Sequence, residues 1–545
     1  MELRWRCVPL ASSLCLRTQT RHCLPDDPPP IFPSLSLSTS SRRNCSKLKP
    51  LERSNHMRTT DNEETAPTAM HPPPPAAPGT GGTHPDNGTL SLHPSTYNEG
   101  SIAKKEEADA PSENQSPAPN CFLAKLKTCV NVVIPPGGIL ASAFNLASSS
   151  IGAGILGLPL AANKSGAVMA IVYLAIITFL TIYSMYSLGV AAQRTQISNF
   201  EAMAVVLMGR WFALFVALVR IFHGLSSCIA YVISVGDIFN DVLKHSQSAP
   251  DFVKTTTGNR LLTALVWLCA MMPLVIPKHV DSLRYFSTFA VSFIIYFVVV
   301  IVVHSCTHGL SENIHNVSMG KDDNSAVVLF NSGNEAIEGL GVFMFAYVCQ
   351  INAFEVYWDM KNPTLPRFTL AAGIGMTLCF LLYGMTSFFG YMDFGKKVDG
   401  SILLMYHPLD EPEVLVAYIG VLSKLCASYA LLFMAARNAI YHGLGWELDK
   451  LPYWKHCIAV TFLSLLMLIF GLFIPKIQIV LGFAGSITGG SLGFLLPALF
   501  VMYSGDWTRK KVGAFHYILT YVMLLAGVIG IVFGTGATIY ATIKG

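Results

Sequence analysis

The sequence predicts an all-α protein that crosses a membrane eleven times. Only 13% of its 545 residues are charged and 52% are hydrophobic, and the mean hydropathy is +0.48, whereas a soluble chain is usually about a quarter charged. Beyond residue 135, apolar runs recur that are long enough to span a hydrocarbon layer of about 30 Å as helices. The net charge of +4 is too small for this length to indicate a nucleic-acid partner.

Residues 1–130 differ in composition from everything that follows. Segments such as "DDPPPIFPSLSLSTSSRR" and "HPPPPAAPGTGG" cannot bury enough apolar surface to offset the entropy of ordering. We predict a disordered cytosolic tail over 1–130, followed by a transmembrane domain over 135–545. The first 56 residues faintly resemble a transit peptide but lack a clean amphipathic helix, so a translation start at Met57 is an equal alternative.

Each apolar run beyond residue 135 predicts one membrane-spanning helix. The second run contains no charged residue, whereas the third contains Arg220 and His223. We interpret these two as structural, because a tilted helix of that length brings Arg220 towards the membrane surface. In order, spans one to eleven lie at 137–162, 166–192, 211–242, 260–277, 284–307, 334–358, 366–392, 413–440, 455–475, 477–504 and 513–542.

The distribution of Lys and Arg between the loops predicts the orientation. With the tail in the cytosol, every inner loop carries at least two Lys or Arg, as the positive-inside rule requires. The carboxyl terminus then lies outside, and so does the glycosylation sequon Asn316-Val-Ser318. We predict an integral protein of the plasma membrane, with an organelle membrane as the alternative.

The stretch "GAGILG" in span one has the spacing of a dinucleotide fingerprint, through Gly152, Gly154 and Gly157. The fingerprint needs a preceding strand, an uninterrupted helix after it and an acidic residue about 20 positions later. The sequence offers none of these, and Pro159 follows at once. The thirteen cysteines include no C-x-x-C pair. We therefore predict neither a cofactor nor a metal site.

Two interpretations of "SSSIGAGILGLP" remain: close helix packing through small residues, and a break in the helix. Three Ser and three Gly among residues 148–157 cost helix propensity at many neighbouring positions. Packing alone does not explain this concentration. A broken helix survives at membrane depth only where its backbone is buried in protein or lines a cavity. The pattern favours a discontinuous span one beside a binding cavity.

A matching interruption is expected five spans later if the chain contains an inverted repeat. Span six, "FMFAYVCQINAFEVYWDM", places Cys349, Gln350 and Asn352 in mid-membrane, followed by Glu355 and Asp359. The spacing alone predicts an inverted repeat of five plus five helices, with discontinuous spans one and six and an extra span eleven.

Four motifs resemble the amino acid/auxin permease family, in its protozoan, kinetoplastid-like branch. "SAFNLASSSIGAGILGLP" is similar to the opening pattern of that family, and "SCIAYVISVGD" resembles its tyrosine-containing third helix. "LVIPKHVDSLRYFSTFAVSFIIYFVVV" matches across spans four and five, and "FAYVCQINAFEVYWDM" resembles the sixth helix. The resemblance covers about residues 135 to 545, in order.

The resemblance implies a LeuT-like, APC-type permease that moves amino acids by alternating access. In such families the substrate carboxylate binds N–H groups of the unwound first helix, and its ammonium binds carbonyls of the unwound sixth. Half-helix ends favour this pairing, because their dipoles attract opposite charges. The expected substrate-binding residues are Ser149, Ser150, Ile151, Gly152, Ala153, Gly154, Tyr231, Tyr347, Val348, Cys349, Gln350, Asn352 and Glu355.

Lys424 is a charge in the middle of span eight. It lies eleven residues after Glu413 and thirteen before Arg437, about 16 Å from either end at 1.5 Å per residue. Snorkelling to the surface is one interpretation; a functional cation facing the bundle is the other. Sodium-coupled relatives bind an ion between helices one and eight, where Lys424 and Ser428 would lie. We therefore predict sodium-independent transport, coupled to protons or uncoupled.

Glu355 allows three interpretations: a structural partner of Lys424, a proton carrier, or a group that attracts a cationic substrate such as arginine or lysine. The last gives a weak expectation of a cationic substrate, with a neutral amino acid as the alternative. A membrane-embedded enzyme is disfavoured, because the chain has no H-E-x-x-H motif and no paired intramembrane aspartates. A nutrient sensor that keeps the permease fold and signals through its tail is a second rival.

Overall fold

The computed structural model describes residue 135 and residues 137–246, 250–278, 290–321 and 324–544. These residues belong to the compact unit Pro111–Gly545. The predicted tail over 1–130 and the alternative start at Met57 lie outside the described residues and stay predictions.

The described residues form helices that follow the predicted spans in order. Nine helices are long and apolar enough to cross a membrane, and a pair bent at a short break makes a tenth. Span five has only 17 described helical residues, at the short end for a crossing, so the count of eleven stays a prediction. In order, the helices are Ile139–Ser150 with Ala153–Ser165, Ala167–Thr195, Arg210–Lys244, Thr256–Val275, Val291–Thr307, Asn334–Asp359, Leu365–Lys397, Pro412–Gly443, Tyr453–Phe473, Ile477–Tyr503 and Ala514–Lys544.

Span one is broken where serine and glycine concentrate. Its first half ends at Ser150, and Ile151 leaves the helical conformation with φ −76° and ψ 100°. Gly152 follows with φ −139° and ψ −146°, and a tight turn over Ala153–Gly157 restarts the helix. The two halves are bent by 53°. The predicted discontinuity of span one is confirmed.

Span six is also interrupted, although its two parts still run on as one span. Its first helix, Asn334–Ala346, ends at Tyr347, whose φ of −102° and ψ of 7° are not helical. A short turn over Gln350–Asn352 precedes the second helix, Ala353–Asp359. The polar residues in an otherwise apolar run thus mark the position of the second predicted discontinuity, which is also confirmed.

Burial separates central spans from peripheral ones. In the most apolar stretch of spans six and ten, 78% of residues are buried, compared with 33% in span nine and 28% in span eleven. The first half of span one packs against span seven, and span three packs against span eight. The two broken helices therefore lie at the centre of the bundle, whereas spans nine and eleven present apolar side chains outward, as a lipid environment requires.

Polar contacts tie the second half of span one to the first half of span six. Lys164 of span one forms an ion pair with Glu338 of span six. The backbone N–H of Asn331 donates to the carbonyl of Ser165 at 3.0 Å, and the Asn331 amide donates to the carbonyl of Lys164 at 2.8 Å. The two half-helices are therefore joined at one end through the segment that precedes span six.

Arg220 and His223 of span three are both engaged by protein. Arg220 forms an ion pair with Glu201 of the short helix Phe200–Met208. The His223 ring is buried, and its Nδ1 lies 3.0 Å from the Thr488 hydroxyl of span ten. These contacts fit the structural interpretation of both residues.

Candidate substrate site at the two helix breaks

The breaks of spans one and six lie in direct contact. A Cβ atom at Gly154 would lie 2.9 Å from the Cα atom of Ala346, so a larger residue does not fit without movement. The Ser150 hydroxyl donates to the Ala346 carbonyl at 2.8 Å. The helix is broken at these glycine and serine residues and also packs closely there. Both interpretations of the stretch, close packing and a helix break, therefore apply.

Tyr383 of span seven joins the contact between the breaks. Its hydroxyl donates to the Ala346 carbonyl at 2.9 Å and lies 3.4 Å from the Ser150 hydroxyl. The carbonyl that closes the first half of span six is one that helical bonding leaves without a partner. Two hydroxyl groups from other spans supply that partner and hold the break in place.

Lys424 contacts the first break from the opposite side. Its side chain is buried, and its ammonium lies 3.0 Å from the Ser148 carbonyl and 3.1 Å from the Ser148 hydroxyl. Ser148 belongs to the last turn of the first half of span one, where the helix dipole is negative. The cation therefore points into the bundle, between spans one and eight, and does not extend to the membrane surface.

Tyr231 and Ser428 complete the surroundings of the first break. A Cβ atom at Gly152 would lie 2.6 Å from the Tyr231 hydroxyl oxygen, so the phenol occupies the space that glycine leaves. The Tyr231 hydroxyl interacts with the Ser428 hydroxyl, and both side chains are buried. The structure thus brings span three, span eight and the break of span one together.

The second break is stabilised by its own side chains. The Tyr347 hydroxyl accepts a hydrogen bond from Thr178 of span two at 2.7 Å, and its ring packs edge-on against Tyr383 at 5.1 Å. The Gln350 side-chain oxygen accepts from the Cys349 N–H at 3.1 Å. Val348 and Cys349 are buried beside them. Gln350 therefore satisfies a backbone donor that the break leaves open.

Asn352 and Glu355 lie farther along span six. Asn352 ends the short turn after the break and is half-buried. Glu355 lies in the first turn of the helix Ala353–Asp359, and it is the one expected site residue whose side chain is exposed. A carboxylate in a first helical turn is stabilised by the helix dipole. The structure therefore does not bury Glu355 with the other site residues.

One hydroxyl at the first break, that of Ser149, is buried and has no hydrogen-bond partner among the described residues. A buried polar group without a partner is costly, and native proteins usually provide one. Ser149 is next to Ser148 and Ser150, which both have partners. A polar substrate at the break would satisfy the remaining hydroxyl.

Sequence reasoning missed Thr178 and Tyr383. Both belong to long apolar spans in which single Thr and Tyr residues are ordinary, so nothing in the local pattern distinguishes them. Only the contacts of Tyr383 with Ala346, and of Thr178 with Tyr347, identify them as part of the site. Within the described ranges, no group of three or more His, Cys, Asp or Glu side chains could hold a metal ion.

Comparison with known families identifies the chain. Residues 135–540 match the family of transmembrane amino acid transporter proteins, which is most of the sequence. The chain belongs to this family. The resemblance seen in the four motifs is thereby confirmed, and the protein is a transmembrane amino acid transporter, with an amino acid as its small-molecule substrate. Its placement in the kinetoplastid-like branch stays a prediction.

A solved structure supports the fold of the transporter. The crystal structure of MhsT in complex with L-phenylalanine aligns with a TM-score of 0.50 over 72% of this chain and 98% of that chain. The sequence identity is 15%, so the likeness concerns the fold alone. Together with the two discontinuous helices, it confirms the predicted all-α, LeuT-like class of integral membrane protein.

Proposed function

We propose that the transporter works by alternating access and binds its substrate between the breaks of spans one and six. The observation that carries this proposal is the direct contact of the two breaks through Ser150 and Ala346. A zwitterion suits such a place, because the start of one half-helix attracts its carboxylate and the end of another attracts its ammonium. The Ser149 hydroxyl would donate to the carboxylate.

Replacing Ser149 tests this site. A lost hydrogen bond to a charged group should raise the KM of uptake about tenfold in Ser149→Ala, with kcat less affected. Ser184→Ala is the matched control, because the Ser184 hydroxyl is also buried without a hydrogen-bond partner among the described residues but belongs to span two, which is not a broken helix. Equal KM values for the two variants in reconstituted vesicles would place the substrate elsewhere.

We also propose that transport is independent of sodium and coupled to protons. A fixed ammonium at the Ser148 carbonyl supplies, between spans one and eight, the positive charge that a bound sodium ion would supply. A second cation there would be repelled. Glu355 is the candidate proton carrier, and Lys424 is the fixed charge.

The choice of coupling ion can be measured directly. Initial uptake rates should be equal in sodium and choline buffers, and an inward proton gradient should drive accumulation that a protonophore abolishes. Lys424→Met should lower uptake in both buffers, whereas Lys476→Met, which removes an exposed lysine paired with Asp399, should not. Strong sodium dependence of the unmodified transporter would refute the proposal.

For the substrate we propose a weak preference for a cationic amino acid, carried by the Glu355 carboxylate. The second candidate is a neutral amino acid, and the exposure of Glu355 outside the buried site favours it. Twenty amino acids competing against labelled arginine separate the two. Glu355→Gln should shift the preference towards neutral substrates, whereas Asp359→Asn, an exposed acid on the same helix, should not. An unchanged competition profile in Glu355→Gln would contradict the cationic preference and favour a neutral amino acid as the substrate.

We further propose that the transporter resides in the plasma membrane with its amino terminus in the cytosol and its carboxyl terminus outside. Glycosylation of the Asn316 sequon would support this orientation, and Asn316 is exposed in the loop after span five. Glycosylation there should disappear in Asn316→Gln and leave a faster-migrating protein. Labelling of an epitope at the carboxyl terminus only after permeabilisation would reverse the orientation.

A further inference from the structure

A cluster of titratable side chains lies away from the substrate site, at the end of span five. The Nδ1 atom of His304 lies 2.7 Å from Oδ2 of Asp393, and its Nε2 atom lies 3.3 Å from Oε1 of Glu411. The side chains of His304 and Asp393 are 14% and 1% exposed. The Tyr406 hydroxyl donates to Oδ2 of Asp393 at 3.3 Å. One imidazole is therefore held between two carboxyl groups from different parts of the chain.

The hydrogen bonds of this cluster require a proton between His304 and Glu411. Asp393 accepts from the Gly309 N–H at 3.3 Å and from Tyr406, so its carboxylate acts as an acceptor and His304 Nδ1 donates to it. A neutral imidazole then presents a lone pair at Nε2. Facing an ionised Glu411, that lone pair would meet a second acceptor. The contact becomes a hydrogen bond only when His304 or Glu411 holds one more proton.

The cluster joins Asp393, which is anchored at the end of span seven, to Glu411, which lies in the loop after that span. Asp393 is anchored by the turn after span five, because Asn313 donates to the carbonyls of Met392 and Asp393 at 2.8 and 3.1 Å. Glu411 ends the loop over residues 398–411, which connects spans seven and eight, and it directly precedes the helix Pro412–Gly443. The contact of Glu411 with His304 thus fastens the end of this loop to span five.

The titratable groups around His304 come from every element that packs on it. Span seven contributes Asp393, the loop contributes Tyr406, and the start of span eight contributes Glu411. Span five itself is followed by His308, whose ring stacks on His304 at 4.3 Å. The turn Gly309–Asn313 adds the exposed Glu312. Carboxylates thus surround the imidazole on several sides, and they favour its charged form.

We propose that His304 and Glu411 bind one proton between them and that this proton latches the exposed end of the loop, residues 407–411, onto the end of span five. Release of the proton leaves two acceptors facing each other, and Glu411 separates. Residues 407–411 and the start of span eight then move more freely, whereas Tyr406 and the buried residues before it stay in place. The pH on this side of the membrane therefore controls how firmly residues 407–411 are held, independently of the ion that drives transport.

Cysteine labelling measures the latch without requiring transport. Leu409 is an exposed loop residue, 43% accessible, two positions before Glu411. In Leu409→Cys, maleimide modification of the peptide that carries residue 409 is followed from about pH 5.5 to about pH 8, either side of the range in which imidazoles titrate. The full-length protein is used in permeabilised membranes. Adding Glu411→Gln gives the reference, because its amide nitrogen donates to a neutral His304 and its amide oxygen accepts from a protonated one, so the contact is kept at every pH.

We divide the labelling rate of Leu409→Cys by that of Leu409→Cys with Glu411→Gln. This ratio cancels the thiol's own dependence on pH. We expect the ratio to be near one at about pH 5.5 and to rise about tenfold at about pH 8, the equivalent of about 1.4 kcal/mol. His304→Phe, added to Leu409→Cys, should label rapidly throughout, because it keeps a ring without nitrogen atoms. His308→Gln is the control and should keep the original profile.

Two results would overturn the latch. One is a ratio that stays at one over the whole range. The other is loss of the pH dependence in His308→Gln while His304→Phe behaves as the unmodified protein. Neither result bears on sodium independence or on substrate binding, which are measured by uptake.

Discussion

At the scale of single residues, the site depends on hydroxyl groups that hold broken helices together. The Tyr383 hydroxyl donates to the Ala346 carbonyl, and removing it in Tyr383→Phe should cost about 1 kcal/mol of stability. Because that carbonyl closes the first half of span six, uptake should fall as well. Thermal unfolding and uptake of the same preparation measure both effects.

Tyr183→Phe is the control for this prediction. The Tyr183 hydroxyl also bonds a backbone carbonyl, that of His516 at 2.9 Å, and it lies 2.8 Å from the Thr520 hydroxyl, away from the breaks. Its loss should lower stability by a similar amount and leave KM unchanged. If both variants keep normal uptake, the Tyr383 hydroxyl is structural only.

At the scale of elements, span four ends against a buried guanidinium. Arg437 of span eight donates to the carbonyls of Val275, Pro277 and Lys278 at 3.5, 3.2 and 2.9 Å. These carbonyls lie in the last turn of span four and just beyond it, where helical bonding ends. Arg437→Met should therefore lower the free energy of unfolding by about 2 kcal/mol. The exposed Arg509→Met should have little effect in the same thermal scan, and equal melting temperatures would contradict the capping role.

The two discontinuous helices show what a sequence can predict at this scale. Serine and glycine in span one, and Gln350 and Asn352 in span six, are local departures from apolar helix composition, and each lies at or beside an observed break. The partners of the breaks are distant in sequence: Tyr383 lies 37 residues from Ala346, and Thr178 lies 169 from Tyr347. Such pairings follow from how the spans pack, which no single run of residues encodes.

The charged residues likewise separate what the sequence predicts, a buried charge, from what it does not predict, the partner of that charge. A lysine in mid-span is expensive enough to indicate a buried partner, but the sequence did not identify that partner as Ser148. Glu355 was grouped with the site because it follows the break closely, yet one turn of helix directs it to an exposed position. Sequence distance along a helix therefore does not by itself predict which side chains meet.

At the scale of the whole molecule, the transport function should reside in the spans. The family match begins at residue 135, and both helix breaks with all their described partners lie beyond it. Deleting residues 1–130 should therefore leave uptake within about a factor of two once expression is matched, because truncation matters where it removes buried contacts. A deletion extended through Ser150 should abolish uptake by removing the first half of span one. Loss of uptake in the shorter deletion, with the protein still folded, would favour a sensor that acts through its tail.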